Sequence, residues 1–98
     1  MSKVAPIHPG EILSEEFLKP MNISRERLAE DTGISSEEIE AVIVGQTSIT
    51  PNAALRLSLF FGLSERFWIN LQSRFDLETE KDKLADRLKK EVRVLQAA

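Results

Sequence analysis

SRERLAEDTGISSEEIEAVIVG, residues 24–45, reads as two short helices joined by a single tight turn. Ser24 stands where a side-chain oxygen can take up an N–H that the first helical turn leaves free. Leu28 and Ala29 form the inward face of this first helix, and Gly33 ends it, because a residue without Cβ enters the left-handed region at no steric cost. Ser35 opens the second helix, and Glu38 three residues on completes a capping box. Ile39, Val42 and Ile43 share one helical face, and Gly45 terminates it. Leu28, Ala29, Ile34, Ile39 and Val42 would then lock the pair at a fixed angle, with small Ala29 permitting a close crossing.

The flanks follow the same pattern. Upstream, Pro9 suits the first position of a helix, His8 stands ready to cap it, and Ile12, Leu13, Phe17 and Leu18 recur at helical spacing until Pro20 stops the run. Downstream, Thr50 and Pro51 open a helix whose buried stripe is Ala54, Leu55, Leu57 and Phe60 or Phe61, closed by Gly62. Ser64 caps the next, which carries Phe67, Trp68, Leu71 and Phe75. From Asp76 the composition turns charge-rich, with Leu77, Leu84, Leu88, Val92 and Leu95 spaced as one amphipathic stripe. Such a helix buries too little to hold by itself and needs the domain body or a partner. The expected architecture is all-α: an arm over 1–7, a compact five-helix domain over 8–76 with the motif at 24–45, and an amphipathic C-terminal helix over 77–98.

Composition removes whole classes of function. The 98 residues are 42% hydrophobic and 30% charged, enough to bury a core. There is no cysteine and one histidine, so neither thiolate chemistry nor a multi-histidine metal site can be assembled. Adjacent acids such as Glu15–Glu16 and Glu37–Glu38 point to different faces of a helix and do not form acid/base pairs. With no glycine-rich phosphate loop either, neither an enzyme nor a cofactor is expected. The start, MSKVAPIHPGEILSEEF, meets carboxylates before any apolar run, and the longest uncharged stretch, Ala41 to Leu55, is broken by Gly45 and Pro51. A cytoplasmic protein without a membrane span or a small-molecule substrate is the expectation.

Two short helices around a glycine turn make a helix-turn-helix pattern, in which the second helix presents its N-terminal residues to a DNA major groove. LAEDTGISSEEIEAVIVGQTSITPNAALRLSLFFGLS resembles the Cro/repressor helix-turn-helix family, with its L-A-x-x-x-G-[IV]-S signature. HPGEILSEEFLKPMNIS before it and ALRLSLFFGLSERFWINLQSRFDLE after it are similar to the HigA antitoxins, also called VapI-like, from His8 to Glu78. The resemblance implies a homodimer that binds operator DNA of its own operon and neutralises a RelE-like mRNA-cleaving toxin. It places Ser24 and Arg25 against DNA at the start of the first helix, and Ser35, Ser36, Glu37 and Ala41 in the groove. Gln46, Thr47 and Ser48 would approach phosphate from the following loop. It also implies a dimer contact in the region of Phe67, Trp68 and Leu71, whereas the residues themselves read Phe67 and Trp68 as core.

Charge departs from that pattern. DNA-binding relatives usually carry Gln, Arg, Lys, Asn or Ser at the reading positions; here the second helix holds Glu37, Glu38 and Glu40 and no base. From Ser24 to Thr50, two arginines face six acids, a net charge of −4, whereas residues 51–98 carry nine bases against seven acids. Duplex affinity comes largely from neutralising phosphates, so this surface should bind weakly without help. Glu37 can accept from a cytosine amino group. Arg25 reads either as a phosphate contact or as a partner for nearby acids on a solvated face. The acidic surface also fits a second reading: a protein-interaction module that kept the fold, lost most DNA affinity and meets a basic partner.

Overall fold

The computed structural model describes residues 5–96. His8 caps the first helix as read: its Nδ1 accepts the Gly10 N–H at 2.9 Å. The helical rod that follows consists of α1 (Pro9–Ile12), a π-helical segment (Leu13–Leu18) and α2 (Lys19–Met21). Pro20 does not stop the run where expected. It occupies the last turn, and Asn22, left-handed at φ 55°, ends the rod two residues later. In the wider segment the Lys19 N–H reaches Ser14 O, five residues back, which relaxes the turn where proline lacks a donor and crowds the carbonyl four residues before it.

Helix α3 (Arg25–Thr32) starts on Ser24, whose Oγ accepts the Arg27 N–H at 3.0 Å, and ends on Gly33 at φ 78°. Buried Thr32 ties the turn together: its hydroxyl donates to Leu28 O at 2.6 Å and accepts the Ile34 N–H at 3.2 Å. Helix α4 (Ser36–Ile43) is capped by Ser35 Oγ on the Glu38 N–H at 3.1 Å. Only this half of the expected capping box forms among the described residues. Helix α5 (Pro51–Phe61) starts on Thr50, whose hydroxyl accepts the Ala53 N–H at 3.1 Å, and ends at Gly62. Ser64 accepts the Arg66 N–H at 3.2 Å, so it organises the turn before α6 (Phe67–Leu84) and does not cap that helix directly.

The expected division at residue 76 is not a break in the chain's path, because α6 runs straight through Asp76 and Leu77. It ends at Ala85, whose φ is 40°, and a short α7 (Arg87–Glu91) gives way to extended backbone at Val92. The single helix expected over 77–98 is therefore divided, and its last two residues, like 1–4 of the arm, lie outside the described residues.

Helices α3, α4 and α5 and the first rod enclose the core, with α6 laid across α5 and α1. Leu13, Leu18, Leu28, Ile34, Ile39, Val42, Ile49, Ala53, Ala54, Leu57 and Trp68 are buried together. Each large side chain there contributes about 1.5–3 kcal/mol by leaving water. Leu55, expected in the stripe, points outward and is 53% exposed; Ala53, Ala54 and Leu57 hold the inward face. Phe17, Phe61 and Phe67 surround Trp68 with ring centroids 5.0, 6.0 and 5.1 Å away, in tilted and edge-on arrangements that aromatic rings favour. Gly10 sets the distance between α1 and α4: a Cβ there would fall 1.8 Å from Val42 O.

Candidate nucleic-acid interface

Ser24 and Ser35 cap α3 and α4, and first-turn residues of both helices, Arg25 and Glu26 of α3 and Ser36 and Glu37 of α4, share one surface. Between the two helices lies a shallow depression lined by Arg25, Glu26, Ser36, Glu37, Glu40, Ala41 and Gln46. The fold thus brings together five of the nine residues expected to face DNA: Arg25, Ser36, Glu37, Ala41 and Gln46. Ser24 and Ser35 stand at its edges, exposed, each accepting a backbone N–H while its own O–H stays free to donate. Thr47 and Ser48 are exposed on the loop leading to α5, outside the depression.

That loop is held at both ends. Gln46 and Thr47 donate their N–H groups to Ala41 O at 2.8 and 3.3 Å, closing the end of α4 around Gly45 at φ 79°. At the far end, buried Gln72 of α6 accepts the Ile49 N–H through Oε1 at 2.8 Å and donates Nε2 to Asp76 at 2.9 Å. Gln72 was missed by the sequence reading. Its signal was a polar side chain four residues after Trp68, on the helical face that should be apolar.

The cations at this face are engaged within the protein. Arg25 makes an ion pair with Glu40 across the α3–α4 crossing. Arg27 pairs with Asp31 on its own helix at 3.3 Å. Arg56, the base of α5, donates to Thr32 O at 2.9 Å and to Asn52 at 2.7 Å. Of the two readings left open for Arg25, the ion pair is the one formed in the free chain, although its partner is Glu40 and not one of the acids on its own helix.

On the expected dimer face, Trp68 is fully buried inside its own protomer and offers no surface to a second chain. Phe67 and Leu71 are half-buried. Among the described residues no group of three or more His, Asp or Glu side chains could hold a metal ion. No described helix is long and apolar enough to cross a membrane.

The helix-turn-helix family profile HTH_3 matches residues 15–68. Virulence-associated protein I of Dichelobacter nodosus is 42% identical over 83 residues, 84% of this chain and 77% of that protein. A Pseudomonas aeruginosa protein in complex with its operator DNA superposes with a TM-score of 0.89 at 37% identity, over 94% of this chain and 97% of that one. The Pseudomonas aeruginosa antitoxin HigA with the higBA promoter gives 0.87 at 36% identity, over 93% and 99%. Other relatives carry the names of antitoxins and of HTH-type transcriptional regulators, among them antitoxin HigA-1 of Vibrio cholerae, 32% identical over 88 residues, 90% of this chain and 83% of that protein. From the profile, the relatives and the shared architecture together, the chain belongs to the Cro/repressor (XRE) helix-turn-helix family, in its group of HigA and VapI antitoxins.

Proposed function

We propose that this chain is an antitoxin-type transcriptional regulator that acts in the cytoplasm as a homodimer on an operator before its own genes. One observation carries the reading: the exposed face of α4 is fixed by α3 in an architecture that a HigA antitoxin shares when it stands on a promoter. The mechanism is steric. A two-fold dimer seats one α4 in each of two half-sites about one helical turn, ~34 Å, apart and blocks transcription. Ser35, Ser36, Glu37 and Ala41 face the groove, while Ser24 and the 46–48 loop position the protein on phosphates by hydrogen bonds. An acceptor such as Glu37 selects amino groups in the groove, with cytosine the best match. Half-buried Phe67 and Leu71 form the dimer contact, and Trp68, wholly buried in its own protomer, takes no part in it.

Fluorescence anisotropy on a duplex from upstream of the gene, against a scrambled duplex and over a salt series, tests this reading. Sequence-dependent binding is expected. A chain that stays monomeric and ignores its upstream DNA even at low salt would sink it.

We further propose that the partner protein is a RelE-like mRNA-cleaving toxin. The acidic surface around Glu26, Glu37 and Glu40 suits a basic enzyme built to hold RNA. The same surface favours a second reading, an interaction module with little DNA affinity of its own. A salt-sensitive complex with a basic product of a neighbouring gene supports the toxin assignment, and the lack of any such complex removes it. Complex formation without any operator binding decides for the second reading.

A further inference from the structure

The pair between Arg25 and Glu40 connects two helices, whereas five other ion pairs of the described residues join side chains three or four positions apart along one helical run. Arg25 and Glu40 lie 15 residues apart, at the first position of α3 and in the middle of α4, and both line the depression that would face DNA. The two side chains are 46% and 52% exposed, so neither is a core group. Glu26 lines the same depression, and no ion pair among the described residues engages it.

We infer that Glu40 withholds Arg25 from the DNA backbone and so sets the strength and salt dependence of binding. The inference rests on the repressor reading and names a control on that same surface. Among the described residues Arg25 is the one base lining the depression, and a phosphate that recruits its guanidinium must displace a carboxylate already seated there. While the pair holds, Arg25 releases no counterion on binding, and its share of the sequence-independent attraction is missing. Contacts from α4 to base edges do not pass through Arg25 and are unaffected. Glu40 is in this sense a positioning residue that acts through Arg25.

The test uses the full chain and three variants, E40Q, E26Q and R25A/E40Q, each titrated against the upstream duplex and a scrambled duplex over a salt series. E40Q is expected to tighten binding to both duplexes, on the order of tenfold at about 0.1 M salt. It should also steepen the slope of log Kobs against log salt by ~0.9 per protomer. E26Q removes the same charge from the same depression without freeing a cation and should give a smaller gain with little change of slope. R25A/E40Q should lose the gain. A gain that persists without Arg25, or that E26Q matches, would show plain repulsion of phosphate by acids and overturn the inference. So would E40Q binding with an unchanged slope, the outcome for a pair that only braces the helix crossing. Wild-type chain that ignores its upstream duplex sinks the repressor reading alone, because E40Q on scrambled DNA still decides whether Glu40 restrains Arg25.

Discussion

The same apolar spacing has opposite outcomes in the two ends of this chain. Between His8 and Phe75, residues three and four apart converge on one core, and four side chains, His8, Ser24, Ser35 and Thr50, cap four of the helices that carry them. From Asp76 onward the leucines recur just as regularly, yet Leu77, Leu88, Val92 and Leu95 are exposed, Leu95 to 92%. Helix α7, which lies wholly in this part of the chain, begins without a side-chain cap. Periodicity therefore specifies that a segment can be helical, whereas burial depends on a second face arriving opposite it. In the body that face comes from a neighbouring helix a few residues away. In the tail no described residue covers Leu77, Leu88, Val92 or Leu95 in that way.

The comparison breaks first at Trp68. W68A removes the largest fully buried side chain from among three phenylalanines, and a loss of about 3–5 kcal/mol is expected. Denaturant unfolding followed by circular dichroism measures it, since the variant lacks the chain's single tryptophan. A loss below about 1 kcal/mol would mean that the body is as loosely covered as the tail.

Gln72 stands at the boundary between the two regimes and gives the next effect. Q72L keeps the volume but leaves the buried Ile49 N–H without an acceptor, at a cost of about 1–3 kcal/mol. It also frees one end of the 46–48 loop, so operator affinity is expected to fall further than a conservative core change would lower it. Comparing its operator binding with that of a core variant of equal stability isolates the loop contribution. Equal affinities in the two variants would reduce Gln72 to a packing residue.

These residues show how far the sequence could be read. The caps and glycine stops were legible because each is a local event: an oxygen two or three positions from an orphan N–H, or a residue free to take positive φ. Pro20 and Leu55 were misplaced for related reasons. A π-helical turn can carry a proline past its usual stopping point, and an apolar residue between two inward positions need not point inward itself. The site was legible as a set of positions on two helices. What was not legible is what only the tertiary fold joins: Gln72 with a backbone N–H 23 residues away, and Arg25 with Glu40 across the helix crossing. Both pairings depend on where α6 and α4 come to rest, which no spacing along one helix encodes.

The smallest expected effect sharpens the contrast most. Leu88 is 41% exposed on α7, so replacing it by lysine removes little buried surface and adds a charge that water can solvate. L88K should shift the unfolding free energy by no more than about 0.5 kcal/mol, the range of ordinary surface changes. The same substitution at Leu28, wholly buried in α3, would place a charge in the core and prevent folding. If L88K instead costs about 2 kcal/mol or more, the tail is covered in solution, and the loss should then depend on protein concentration if a second copy supplies the cover. A concentration-independent loss would mean that α7 folds back on its own body. A neutral L88K leaves the stripe free for a partner, and weakened partner binding at unchanged stability would then assign Leu88 to that contact.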